Sequence, residues 1–363
     1  MIHTGTEARA FVGFDGYVDS LFHVVQRRGP GSPTYFDTIG EFARHIANAA
    51  GQSADIELVC QERRFGGNAP LMANALAHLG MRSTCVGAMG YPEMHPAFRP
   101  LHPHCRTMSV CNPADTQALE FSDGKLMFAD LASLDDLDGE HVKARIGWGA
   151  LSSLLAESTL VALVNWGGLV KAHELWSEVF RELPPPPSAS PSAPSPRHVF
   201  IDLADFSKRT TEDLVRLVGL LQGFHGRNAI TIGLNEHEAG ILHGKLVAAG
   251  CMRASDTHGD RLEDLCAALH AALGLGAVVV HPLDCSCVAT AAGVTRRPGR
   301  RVAAPRVSTG GGDNFNAGYC FGRSLGLREP LCLDLAMAVS RLYVLEGQSP
   351  SIERVAKELR EDA

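Results

Sequence analysis

Apolar, strand-like runs alternate with amphipathic helical stretches along most of this 363-residue chain. Phe11 to Phe14, STCVGAMG, STLVALVNW, AITIGL and AVVV read as strands, and VFIDLADF as another strand start. PLMANALAHLG, Leu169 to Leu183, Thr211 to Leu221, LEDLCAALHAALG and the closing LCLDLAMAVSRLYVLEG read as helices. In PLMANALAHLG, Pro70 suits a first turn, Leu71, Met72, Ala75, Leu76 and Leu79 form the apolar stripe, and Gly80 ends it. Strand followed by helix, repeated, demands a mostly parallel sheet with helices on both faces, so the expected class is α/β with three αβα layers. TQALEFSDGKLMFAD breaks the rhythm: two strand-like runs about Asp123-Gly124 predict an antiparallel hairpin with a type I′ turn. That hairpin, at about 105–135, reads as a small antiparallel β lid. CVATAAGVTRRPGRRVAAPRV predicts further short antiparallel strands. The Pro/Ser-rich run 184–197 cannot pack a core and predicts a disordered loop insertion. Because the rhythm resumes directly after it, residues 1–363 read as one domain.

Apolar residues make up 45% and charged ones 20%, enough to bury a full core. A formal charge of −7 argues against nucleic acid or an anionic membrane as partner. The N-terminus lacks a basic segment followed by an apolar run, so no signal peptide is expected, and no apolar run reaches spanning length. Ten cysteines without regular spacing, several inside apolar runs, suit a reducing cytoplasm.

The most informative short stretch is STGGGDNFNAGYC. Gly310, Gly311 and Gly312 run into Asp313 and then an apolar helical pattern. Glycine-rich backbone at a helix start leaves N–H groups aimed at one point with the helix dipole behind them, which is an anion site. A carboxylate there opposes phosphate unless it takes a proton from the group attacking that phosphate; the competing reading is an Asp N-cap. Asp15 and Asp19 follow the first strand, in a loop where α/β folds gather ligand contacts, or else serve as turn residues beside Gly16. Gly66-Gly67-Asn68 leads into the next helix and allows close approach of backbone to a ligand. His95, His102, His104 and Cys105 match no standard zinc spacing and read as a surface loop. No G-x-G-x-x-G follows the first strand, and GILHGK is one residue short of a Walker A loop, with Leu246 where Ser or Thr should stand.

Together VSTGGGDNF, FGGNAPLMANALAHLG, the Asn235/Glu238 pair and GQSPSIERV resemble the PfkB (ribokinase-like) carbohydrate kinase family over nearly the whole chain. The resemblance implies a ribokinase-like fold and an ATP-dependent kinase acting on a hydroxyl of a sugar-like molecule. It makes Asp313 the base and Gly310, Gly311 and Gly312 the anion hole. It gives the acceptor to Asp15 or Asp19, which stay undivided, with Gly66, Gly67 and Asn68. It gives ATP to Asn235, Glu238, Thr309 and Asn316, with Mg2+ held through water by Asn235 and Glu238. The chain departs from the family at Val307, where the signature's first Asp usually stands and monovalent cations are often bound. It departs again at Leu71, in place of a sugar-binding Asn, and at the His281–Cys287 loop, in place of T-x-G-x-x-G. The alternatives are a nucleoside or vitamin-type alcohol kinase of the same fold, or a catalytically weak sugar- or nucleotide-binding protein. Exposed edges of the lid suggest a homodimer through it.

Overall fold

The computed structural model describes residues 8–184, 197–226, 228–254, 261–307 and 309–361. β1 (Arg9–Phe14), buried after its first residue, enters a nine-stranded sheet. The chain then leaves it, and β2 (Tyr17–Arg27), β3 (Thr34–Tyr35), α1 (Ile39–Asn48) and β4 (Leu58–Gly66) begin a smaller sheet. It returns through α2 (Asn68–His78), β5 (Arg82–Ala88) and β6 (Cys105–Cys111), and leaves again as the hairpin β7 (Ala114–Phe121) and β8 (Gly124–Asp130). Helices α3 (Ala132–Asp135), α4 (Gly139–Arg145) and α5 (Trp148–Glu157) lead to β9 (Leu160–Leu163). Then come α6 (Ala172–Glu182), β10 (His198–Asp202), α7 (Thr211–His225), β11 (Ala229–Leu234) and α8 (Glu236–Ala248). α9 (Leu262–Leu273), β12 (Ala277–Val280), β13 (Cys285–Thr290) and β14 (Gly293–Pro298) follow. α10 (Gly311–Ser324), α11 (Glu329–Glu346) and α12 (Ile352–Glu361) complete the chain.

The large sheet has the order β14-β13-β12-β11-β10-β9-β1-β5-β6. Every pair from β12 to β6 is parallel, and β13 and β14 add an antiparallel edge. Successive strand residues point to opposite faces. In β9, Val161 and Leu163 join the core under α5 to α9, with Trp176, Leu217 and Leu269, while Leu160 and Ala162 join the core under α2 and α10 to α12, with Met72, Tyr319 and Val355. A sheet buried on both faces explains the unbroken apolar strands. Among the described residues, no helix is long and apolar enough to cross a membrane.

The small sheet, ordered β3-β2-β7-β8 with β4 also on β2, has two different faces. Phe22, Val24, Leu119 and Leu126 pack with Phe36 and with Phe42 of α1. Asp19 and its register partner Arg64 lie on the opposite face, which turns toward the large sheet. Three expectations need correction here. Residues 105–111 are not part of the lid: they form β6, whose Val110 and Cys105 are buried in the two cores of the large sheet. The two-residue turn of the lid hairpin is Ser122-Asp123, one position early, because Asp123 accepts the Ile39 N–H (2.8 Å) and the Ser122 N–H binds Asp37 O (2.8 Å). Asp19 is in a strand rather than a loop, since β2 is paired on one side by β4 and on the other by β7. The expected loop at 184–197 falls, apart from its ends, outside the described residues. At those ends Arg197 donates from Nη1 to Pro184 O (2.8 Å) and from Nε to Ser158 O (3.1 Å).

Gly16 is the point where β1 hands over to the lid. A Cβ there would lie 2.0 Å from Ala88 O, a backbone atom with little freedom to retreat. Gly16→Ala is therefore expected to destabilise by about 1–3 kcal/mol, read by urea unfolding. Unchanged stability would mean that the crossing can relax.

Candidate active site

Parallel strands put all their C-terminal ends on one edge of the sheet, and the chain reverses its direction of growth beside β1, with β5 and β6 on one side and β9 to β12 on the other. Such a switch point opens a crevice for ligands. Asp15 follows β1, Asn165 follows β9, Asp202 ends β10, Asn235 follows β11 and His281 follows β12.

Asp15 is fully buried. Its Oδ2 accepts from Asn68 N (2.9 Å) and Asn165 Nδ2 (2.7 Å), and its Oδ1 from Ala69 N (2.7 Å). It thus supplies, from a distant strand, the negative charge that the N-terminus of α2 favours. Burial still pushes its carboxyl up to about 6 against those three donors. Asn165 adopts φ 59°, which its short polar side chain tolerates, and from there also donates to Tyr17 Oη (3.0 Å). Asn68, the first residue of α2, donates from Nδ2 to Asp313 Oδ1 (2.9 Å).

Asp313 lies in the first turn of α10. Burial first, then the charges of Asp202 and Asp15, hold its carboxyl well above the ordinary range, with the Asn68 bond opposing. Gly310 caps the helix at φ 86°, and a Cβ on it would lie 2.6 Å from Tyr343 Oη, so glycine is required by dihedral and by space. The first intrahelical bond runs from Asn314 N to Gly310 O (3.1 Å), which leaves the N–H groups of Gly311, Gly312 and Asp313 for a ligand. Asn314 is braced by Ser349 Oγ (2.9 Å) from the closing segment. Beside these amides lies a cavity of about 580 Å³ lined by Gly310–Gly312, Asn235, His281, Ser340, Arg300 and Arg301, among others. His281 stacks on Phe315 (4.5 Å between centroids), and burial lowers its pKa to about 4, which keeps the ring neutral.

Asn235 and Glu238 form a reciprocal capping box on α8: Glu238 N donates to Asn235 Oδ1 and Asn235 N to Glu238 Oε2, both at 2.9 Å. Their spacing is thus partly the geometry of a helix start. Burial, then the charge of Asp202, pushes Glu238 up to about 8, and burial pushes Asp202 to about 6. Asn316 Nδ2 donates to Asp202 Oδ2 (2.6 Å), while its buried Oδ1 has no partner among the described residues. Asp19 stands on the lid strand, where a Cβ on Gly66 would lie 2.5 Å from its Oδ2; Gly67 has φ 97°. Burial raises the Asp19 carboxyl, and the Arg64 charge offsets part of that.

Asp15, Asn68 and Asp313 therefore form one hydrogen-bonded chain, with Gly310–Gly312 beside it, and Asn235, Glu238 and Asn316 meet around Asp202. Thr309 accepts from Arg64 Nη2 (3.0 Å). Asn165, Asp202, Tyr17 and Arg64 escaped the sequence reading. Asn165 and Asp202 carry the same signal that singled out Asp15, a polar residue at the end of an apolar strand. Among the described residues, no three His, Cys, Asp or Glu side chains are grouped to hold a metal ion, the His95–Cys105 region included.

A model of the prokaryotic ketohexokinase family matches residues 3–361. A ketohexokinase from Haloferax volcanii is 25% identical over 351 residues, which is 96% of this chain and 89% of that one. The solved Arabidopsis thaliana ribokinase, complexed with ribose and ATP, superposes with a TM-score of 0.64 at 16% identity over 97% of this chain and 98% of its own. Adenosine kinase from Sinorhizobium meliloti also reaches 0.64 at 16% identity, over 98% and 99%. At these identities the solved structures establish the fold, a three-layer ribokinase fold. With the family match running almost end to end, the chain belongs to the prokaryotic ketohexokinase family and is, with it, a PfkB carbohydrate kinase.

Proposed function

We propose that this kinase transfers the γ-phosphoryl group of ATP to a hydroxyl of a ketohexose. The observation that carries the reading is Asp313, oriented by Asn68 and adjoining the first-turn amides of Gly311 and Gly312. The Haloferax volcanii relative supports a ketohexose as acceptor. So does a crevice of carboxylates, amides and hydroxyls (Asp19, Asn68, Asn165, Tyr17), which suits a polyol better than a base to be stacked.

A sugar hydroxyl is a poor nucleophile until its proton leaves. Asp313 accepts that proton as the oxygen attacks the γ-phosphorus, and the bond from that phosphorus to the bridging oxygen of ADP breaks. The N–H groups of Gly311, Gly312 and Asp313 stabilise the charge on the transferring group without reorganising. Asp15 already accepts from three protein donors and acts as the brace of α2, so Asp19, on the lid face above the crevice, is assigned the acceptor hydroxyls. The cavity beside His281 takes the nucleotide, with Thr309 at the edge of its phosphate end.

The acid cluster suits a hydrated divalent cation. Asp202 and Glu238 are buried together without a lysine or arginine partner among the described residues, and Asn316 Oδ1 is unpartnered beside them. Mg2+ keeps several waters and needs few protein ligands, so a site without three convergent side chains fits it. Asp202, Glu238 and Asn235 would hold it through water, and it would neutralise phosphate charge. The free edge of β8 and the exposed Phe128 support a homodimer through the lid. Light scattering of the protein and of Phe128→Glu checks this: the substitution should give monomers, and a wild-type monomer would refute it.

The decisive measurement is ADP release from ATP and Mg2+ across ketohexoses, aldohexoses, pentoses and nucleosides. Ketohexose-dependent turnover is expected, with kcat lower by about 10²–10⁴-fold in Asp313→Asn. Ligand-induced stabilisation without turnover would instead mark a binding protein, with Asp313 a helix cap.

A second test uses stability. Glu238 binds its proton more tightly folded (about 8) than unfolded (about 4.5). Between these values the folded state therefore holds more protons, and stability falls as pH rises. From pH 6.5 to 8 the melting temperature of the free protein should fall. Glu238→Gln should flatten that slope, and Mg2+ with nucleotide should reduce it. A slope unchanged by Glu238→Gln would place the strain elsewhere.

A further inference from the structure

The small sheet meets the glycine loop through one polar side chain. Arg64 of β4 lies on the face of the lid that carries Asp19, its direct register partner on β2. Its Nη2 reaches across to Thr309 Oγ1 (3.0 Å), 245 positions away in the chain and immediately before Gly310. Among the described residues, no other side chain of the small sheet hydrogen-bonds to segment 309–316. Among the described residues Arg64 forms no ion pair either, although its charge is felt at Asp19 and at Tyr343. Tyr343 is the residue whose hydroxyl would meet a Cβ on Gly310. Arg64, Glu62 and Glu120 of the lid and Arg306 and Val307 of the loop together line a concavity of about 210 Å³. This seam therefore has mostly polar walls and, among the described residues, the Arg64–Thr309 bond as its side-chain cross-link.

We propose that Arg64 is a positioning residue that couples acceptor binding under the lid to nucleotide binding at the glycine loop. The proposal rests on the kinase reading above and goes beyond it by naming the group through which the two substrates sense each other. When an acceptor hydroxyl engages Asp19, the Asp19–Arg64 pair of strands is drawn down over the crevice. The Arg64–Thr309 bond then fixes the residue that leads into Gly310, and with it the direction of the Gly311 and Gly312 amides. A guanidinium suits this task because its planar fork can face a carboxylate and a hydroxyl at once.

The test measures the dissociation constant of a non-hydrolysable ATP analogue, with Mg2+, in the absence and presence of saturating D-fructose. In the wild-type protein the sugar should tighten the nucleotide at least five-fold. In Arg64→Met the factor should fall below two, while each ligand alone binds within three-fold of wild type and the melting temperature is retained. Arg64→Lys, which keeps a donor, should recover part of the factor. Thr309→Val should lose it as Arg64→Met does, and the double variant should lose no more than either single one. A wild-type factor below two, or full coupling in a folded Arg64→Met protein, overturns the proposal. So does parallel weakening of both ligands taken singly, which would make Arg64 a binding group. Failure of the kinase reading looks different: the wild-type protein would release no ADP with any acceptor.

Discussion

The buried carboxylate of Asp15 is the joint on which the site depends. It sits where the large sheet changes its direction of growth, and it binds the first turn of α2 and the side chain of Asn165 at once. Through Asn68 the same turn of α2 orients Asp313. One ionisable group thereby ties β1, β9, α2 and α10 into a fixed arrangement, and the catalytic candidate inherits its position from a residue that need not touch substrate. A hydroxyl or amide in place of Asp15 could not offer two charged acceptor oxygens to a helix N-terminus and an asparagine together.

Around that joint, acids collect without a cationic partner in contact with them among the described residues. Asp15, Asp202, Glu238 and Asp313 all hold protons more tightly than in water, because each is buried and most feel another's charge. Such an arrangement is unfavourable in the free protein and, on the proposed reading, would become favourable when a cation arrives with the nucleotide. Stability given up at the site is recovered in differential binding, the usual relation between strained polar sites and function.

Much of this was legible in the sequence where one physical rule acted alone. The alternation of apolar strands and helical stripes specified the layers, since a parallel sheet covered on both faces needs that pattern. The Gly310–Asp313 run marked a helix start that places backbone amides and a carboxylate in one turn, and α10 begins there. Reading failed where tertiary partners decide. β2 looked like a loop because Asp15, Gly16 and Asp19 suggest a turn, yet pairing on both sides makes it the longest strand of the lid. The edge strand β6 was taken for lid because its Cys-rich run sits between prolines. Helices α1, α3 to α5, α8 and α12 passed unnoticed, α3 and α4 being short. Arg64 was invisible for a simpler reason: its partner is 245 residues away. The Asn235/Glu238 pair was legible by spacing, but that spacing is also what a capping box needs, and the box is present, buried beside Asp202.

The clasp formed by Arg197 has a consequence for how this scaffold can vary. Its guanidinium, just before β10, binds Pro184 O after α6, and also holds the end of α5 through Ser158 O. The neck of the Pro/Ser-rich stretch is thus closed by the framework itself, on the side of the sheet where α5, α6 and α7 pack. With the neck held at residues 158, 184 and 197, changes of chain length between 184 and 197 are expected to leave the framework intact. The same position offers new termini for a circularly permuted form, or a tether for a second domain, at no cost to the strand ends that build the crevice.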